Sequence, residues 1–181
     1  MRFLPRENII SGEAKKLLVQ AFDFKPKIEF IIPKLDEKKE FEPVSEAIPE
    51  QYFPPCIQKI SKGLTDGKKR ALLVLINFLS SIGWNYEKIE AYVSEWNKRN
   101  QEPLREVYIR GQMNHAKQRK KPVLPPNCSN KAYMVDIGAC NPDNFCRSEN
   151  PPGSENFAPR IKNPANYSIF KQRNAAKNSN S

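Results

Sequence analysis

Four cysteines constrain this chain more than any other feature. Cys56, Cys128, Cys140 and Cys146 stand in the pattern C-x71-C-x11-C-x5-C. The last three fall within VLPPNCSNKAYMVDIGACNPDNFC, which contains no histidine. That stretch lacks the apolar spacing of a helix or strand, so a hydrophobic core alone does not order it. No apolar run approaches the roughly 20 residues that span a bilayer. The N-terminal MRFLPRENIISGEAKK has no apolar core of signal-peptide length and no small-residue cleavage site. The chain therefore reads as cytoplasmic, without a membrane partner, and in that setting structural disulfides are rare. Four thiolates then point to a metal site. Cys56 follows Pro54-Pro55 directly and Cys128 follows Pro125-Pro126 after one residue. Proline stiffens such an approach and holds a thiolate on an irregular loop.

Zinc and iron–sulfur are both open on these spacings. Structural zinc usually takes ligands in C-x2–4-C pairs, and no spacing here is that short. A cubane [4Fe–4S] cluster is wider and accepts cysteines from separate segments. The spacing leans toward the cluster without excluding Zn2+. The plain alternative is four unrelated cysteines buried as small hydrophobes. It leaves the proline-rich, aperiodic C-terminal segment with nothing to order it.

The rest of the chain divides by pattern. Residues 1–52 read as an arm and linker, with a short helix over 13–22, an isolated strand over 27–32 and a proline-punctuated polar run over 36–51. Three packed helices are expected between 65 and 117. The first, in GKKRALLVLINFLSSIG, is apolar nearly all round from Ala71 to Leu79 and so central and buried, with Thr65 or Asp66 as N-cap and Gly83 as its stop. The second starts from Asn85 and lines up Ile89, Tyr92, Val93 and Trp96 on one face. The third takes Pro103 as first residue and Leu104, Val107, Tyr108 and Gly111 as its stripe, leaving Arg105, Arg110, Gln112 and Lys117 outside. Trp84 and Trp96 read as core, and His115 as exposed. Asp136 and Asp143 read as turn-makers. Residues 148–160 read as a flexible loop and 174–181 as a disordered tail.

The formal net charge is +10, with a sequence pI near 9.5. The charge is segregated: residues 36–50 carry six acids and two lysines, 98–121 eight bases and two acids, and 160–181 five bases and no acid. Nucleic acid is the partner this balance favours. Lys68, Lys69 and Arg70 open a helix, where the dipole disfavours cations by a few tenths of a kcal/mol, about 0.3 or more. A bound anion removes that penalty; a solvated cluster is the plain alternative. Arg119, Lys120 and Lys121 can grip a nucleic-acid backbone or form a solvated turn. No P-loop, no framed pair of metal-binding acids and no Cys-His pair in register supports catalysis.

The ordered motifs resemble the C-terminal iron–sulfur domain of the archaeal and eukaryotic DNA primase large subunit. They are Pro54-Pro55-Cys56-Ile57, then Gly67-Lys68-Lys69-Arg70, and Phe78-Leu79 ahead of Gly83. Val107-Tyr108-Ile109-Arg110-Gly111-Gln112 stands for the family's aromatic and basic helix, less faithfully. Pro125-Pro126-Asn127-Cys128, Gly138-Ala139-Cys140, Cys146 and Lys162-Asn163-Pro164-Ala165-Asn166-Tyr167 complete the order. The resemblance covers about residues 54–170.

It implies a mainly α fold: a compact helical domain over 53–171, with a loop-rich C-terminal lobe clamped by one [4Fe–4S] cluster on Cys56, Cys128, Cys140 and Cys146, and a tail over 172–181. It implies a non-catalytic role in primer synthesis and DNA replication. The domain engages single-stranded template or primer–template and the initiating nucleotide's phosphates, beside a catalytic primase subunit. Lys68, Lys69 and Arg70 match the basic stretch of that contact, and Tyr108 and Arg110 fall in the second contacting helix, which Arg105 also joins. Two departures stand out. Only 55 residues precede Cys56, too few for the family's long docking domain, so a free-standing relative is expected. The histidines that accompany the basic residues in relatives are missing; His115 stands alone. The rival readings are a zinc-stabilised RNA- or protein-binding module, and an electron-transfer enzyme, which lacks any second cofactor motif.

Overall fold

The run from Ala71 to Leu79, apolar at every position but Asn77, is buried best as a helix enclosed on most sides, and the neighbouring helices are arranged to enclose it. The computed structural model describes residues 11–23, 44, 46–146, 150–156 and 159–178. Among them are six α-helices, a 3-10 turn at Glu50–Tyr52, a π-helical turn at Lys131–Val135 and no strand. The expected strand at 27–32 lies outside the described residues. No described helix is long and apolar enough to cross a membrane.

The chain divides into two units, Met1–Glu40 and Phe41–Ser181. The first holds α1 (Glu13–Asp23), the short helix the sequence suggests, none of whose residues is buried.

The second unit holds α2 (Pro55–Ser61), α3 (Lys68–Ser81), α4 (Tyr86–Lys98), α5 (Glu106–Lys117) and α6 (Pro164–Asn178). In α3, Ala71, Leu72 and every residue from Val74 to Leu79 are buried. Each large one contributes roughly 1.5–3 kcal/mol by leaving water. Gly83 ends α3 at φ +89°, and a Cβ there would stand 2.9 Å from the Glu46 carbonyl oxygen, so glycine is required twice over. Asn85 caps α4 as expected, its side chain accepting the Lys88 N–H at 2.9 Å. Ile89, Val93 and Trp96 are buried on α4, and Tyr92 is half-buried with its hydroxyl 2.6 Å from the Ser61 Oγ.

Five expectations change. The N-cap of α3 is Gly67, with no side-chain cap, rather than Thr65 or Asp66. The proline-punctuated run over 36–51 is not wholly a linker: Ile48 is fully buried, donates to the Ile82 carbonyl at 3.0 Å and accepts the Trp84 indole N–H at 2.8 Å. Pro103 does not start α5. The Asn97 side chain clamps the loop by accepting the Leu104 N–H at 2.7 Å and donating to the Leu104 carbonyl at 2.9 Å, so the helix begins at Glu106. The buried stripe of α5 is Ile109, Met113 and Ala116, while Val107 is 80% exposed. Residues 174–178 extend α6 rather than fraying, which suits the helix formers Ala175, Ala176 and Lys177.

α3 and α5 run parallel. Lys69 and Tyr108 meet at their starts, and Asn77 and Arg119 meet near their ends. Met134, Ile137 and Ala139 carry the C-terminal lobe into the same core.

Candidate functional site

The four cysteines reach one place by different means. Cys56 is the second residue of α2, buried, with Pro54 extended at the cap and Pro55 in the first turn. Proline suits that position because the missing N–H has no helical partner to lose. The other three sit on loops fixed through their backbones. The Cys128 N–H donates to the Lys162 carbonyl at 2.8 Å, and the Cys140 N–H to the Met134 carbonyl at 2.8 Å. The Cys146 N–H donates to the Asp143 carboxylate at 2.9 Å, while its carbonyl accepts from the Arg160 N–H at 3.1 Å. All four are free thiols. Together with Met134, Asn141, Pro142 and Pro159 they line one hollow of about 310 Å³. Among the described residues, no group of three or more His, Cys, Asp or Glu side chains is placed to hold a metal ion.

Burial pushes all four thiols up. Cys56 stands well above the ordinary thiol value, through burial and then the charges of Cys128, Cys146 and Cys140. Cys128 is pushed up to about 12 by burial, then by Cys146 and Cys140. Cys146 rises to about 11, chiefly by burial, with the Asp143 backbone bond opposing and the Asp143 charge adding. Cys140 is raised by burial and drawn back by Lys59. Thiols gathered this way do not ionise together unless positive charge joins them, and a coordinated metal supplies that charge. The donor set therefore fits a thiolate-held metal centre.

A second set of residues, of which residue type gave a role only to Asp143, braces these loops. Asn163 is buried; its amide donates to the Pro125 carbonyl at 2.8 Å and the Asn127 side chain at 3.1 Å, and its oxygen accepts the Ala165 N–H at 3.0 Å. It thus ties the approach to Cys128 to the start of α6. Tyr167, 1% exposed, donates its hydroxyl to the Asp143 carboxylate at 2.6 Å. The other Asp143 oxygen takes the Phe145 and Cys146 N–H groups, so Asp143 is a turn-maker, as expected, and also a brace. Burial alone would raise the Asp143 carboxyl, but the bonds from Tyr167, Cys146 and Phe145 hold it below its ordinary value. An asparagine before proline, followed by a tyrosine one turn on, was the available signal.

The basic candidates separate in space. Lys68, Lys69 and Arg70, with Asp66, Gly67 and Leu104, line an open hollow of about 730 Å³ at the start of α3. Lys69 is exposed, its ammonium 5.3 Å from the centre of the half-buried Tyr108 ring. Lys68 donates to the Thr65 carbonyl at 3.0 Å and lies 3.9 Å from Glu102. Arg70 reaches the C-terminal lobe and donates to the Ala132 carbonyl at 2.6 Å. Gly67 caps α3 at φ +73°, where a Cβ would stand 2.5 Å from the Ile137 side chain. The basic turn and the cysteine-bearing lobe are thus in direct contact.

Arg105 is exposed at the cap of α5, next in the chain to Leu104. Arg110 does not join Tyr108. It pairs with Glu106 at 2.6 Å and lines a different hollow with Glu90, Ser94 and Asn97, because residues two apart on a helix face roughly opposite ways. Arg119 donates to the buried Asn77 side chain at 3.0 Å and meets exposed His115 at 3.2 Å, anchoring the end of α5. Lys120 and Lys121 are exposed beyond it.

These features define a class: a helical domain in which thiols from one helix and two loop segments converge beside a basic helix start. The family model for the C-terminal domain of the eukaryotic and archaeal DNA primase large subunit matches residues 46–167, and the chain belongs to that family. The matched span includes all four cysteines and ends on Tyr167. No curated protein and no solved structure matches the chain.

Proposed function

We propose that this protein is a non-catalytic, iron–sulfur, nucleic-acid-binding component of DNA priming. The observation that carries the reading is the convergence of all four cysteines on one hollow from segments as far apart as α2 and the C-terminal loops. Cys56, Cys128, Cys140 and Cys146 would hold a [4Fe–4S] cluster, which when bound supplies a charged cross-link between the thiolates and a one-electron redox centre. Structural zinc usually takes ligands in C-x2–4-C pairs, and no pair of these cysteines is that closely spaced, which favours the wider cluster over zinc. The unit that carries the centre spans about residues 46–178, with the preceding residues as an arm.

The chain's own residues then divide the work. Asn163, Asp143 and Tyr167 hold the cysteine loops in register. Lys69, with Lys68 and Arg70 beside it, presents positive charge at the α3 start to template or nucleotide phosphate. Tyr108 stands beside Lys69, its ring centre 5.3 Å from the ammonium, and Arg105, Lys120 and Lys121 extend the basic surface. Arg110 is taken up by its surface pair with Glu106, and Arg119 ties the end of α5 to Asn77 of α3. The phosphodiester bond would be made by a separate catalytic primase chain working alongside.

Anaerobic purification tests the centre. Brown protein absorbing broadly near 400 nm, with the absorbance lost in Cys128→Ser, is the expected result; colourless protein with one stoichiometric zinc overturns it. Lys69→Glu tests the surface, since Lys69 has no backbone bond to lose. Weaker single-strand or primer–template binding with a flatter salt dependence is expected, and unchanged affinity removes the assignment.

A further inference from the structure

Beside the thiol hollow the C-terminal lobe carries a larger open recess of about 1160 Å³, lined by Asn144, Phe145, Arg160, Ile161, Phe170 and Asn174. None of these residues belongs to the thiol hollow or to the basic hollow at the start of α3. The recess is built on a fixed floor. Phe145 stands edge-on to buried Tyr167, ring centres 5.1 Å apart, and Ile161 is buried. Arg160 is tied by its backbone to the Cys146 carbonyl while its side chain is exposed. Phe170 is 46% exposed on α6, a large apolar ring kept in water.

The chemistry of the lining selects its occupant. Among the described residues it offers aromatic faces, side-chain amides and one guanidinium, with no carboxylate. Asp143, next to Asn144 in the chain, is already engaged by Tyr167 and two backbone N–H groups. The α6 helix adds Lys171, Arg173 and Lys177 and no acid. Flat aromatic surface beside a basic helix matches a nucleic-acid strand, whose bases stack on rings while its phosphates seek cations. An acidic peptide would satisfy the charge and leave the aromatic faces without stacking partners.

We propose that this recess is a second subsite for single-stranded nucleic acid, in which Phe170 stacks one base and Arg160 contacts the neighbouring phosphate. It rests on the nucleic-acid-binding reading above and extends it to the C-terminal lobe.

The test compares labelled oligothymidine with an abasic strand of the same length on the full chain. Phe170→Ala should weaken oligothymidine binding about tenfold, as loss of one stacked base does, and leave abasic binding unchanged. Arg160→Ala should lower the salt slope by about 0.7, one phosphate contact on a single strand. Circular dichroism of both variants should match the parent, since both side chains are exposed. Oligothymidine affinity unchanged in Phe170→Ala overturns the subsite. Equal losses on both strands also overturn it and leave the face to a protein partner or a packing role. If the parent binds neither strand, the broader reading fails with it. If binding is sensitive to Lys69→Glu but not to Phe170→Ala, only the subsite fails.

Discussion

The helices α2 to α5 and the C-terminal lobe are held together by different physics. The helices place one apolar face after another around α3, and nearly every large side chain there is enclosed. The lobe contributes few buried apolar residues, among them Met134, Ile137, Ala139 and Ile161. Its order comes instead from backbone N–H groups aimed at particular acceptors, from Asn163 and Tyr167, and in our reading from thiolates on a shared centre. Packing tolerates small changes by repacking, whereas a set of single bonds does not. The helices should therefore survive damage to the lobe, and the lobe should not survive damage to the helices.

Three substitutions break or sharpen that contrast. The largest effect belongs to Phe78→Ala. Phe78 is fully buried, its ring edge-on to Phe53 at 5.0 Å. Its loss should cost about 3–5 kcal/mol, and denaturant melts followed by circular dichroism and by thiol accessibility should shift together. Next comes Asn163→Ala, which leaves the Pro125 carbonyl and the Ala165 N–H without their partner. A cost of about 2 kcal/mol is expected, confined to the lobe: limited proteolysis should cut within 118–163 while helical circular dichroism holds. A whole-domain melt at the Asn163→Ala midpoint would show the two regions to be one cooperative unit. Smallest is Arg110→Ala. Its exposed pair with Glu106 is worth about 0.5 kcal/mol or less, and both stability and nucleic-acid affinity should stay near the parent's. A large loss of affinity would return Arg110 to the binding surface.

The same contrast explains what the sequence disclosed. Periodicity exposed α3 and α4 because a packed helix must repeat its apolar face, and Asn85 and Gly83 marked their ends. The α5 stripe was misread because Val107 is apolar yet exposed, and Ile109, Met113 and Ala116 form a face of equal spacing one step along. The short α2, with only Cys56, Ile57 and Ile60 buried, is too brief to announce a period. In the lobe the residues that matter, Asn163, Asp143 and Tyr167, act through single long-range bonds that leave no repeating trace. The four cysteines were legible because their chemistry restricts them wherever they stand. The grouping of the bases was not: Tyr108 and Arg110 are neighbours in a motif, yet Tyr108 meets Lys69 while Arg110 lines a separate hollow with Glu90, Ser94 and Asn97.

The long interval between Cys56 and Cys128 also sets an order of events during synthesis. Chains grow at about 5–20 residues per second, so Cys56 is made on the order of 4–14 s before Cys128, and the last residue of α5 only about 0.5–2 s before it. The helical part of the core that Cys56 packs against is therefore made ahead of the other three thiols, while Met134, Ile137 and Ala139 join it later. Cys128, Cys140 and Cys146 arrive later, and α6, which carries Tyr167 and follows directly on Asn163, arrives last. Of the described elements, α6 is the part that closes the door.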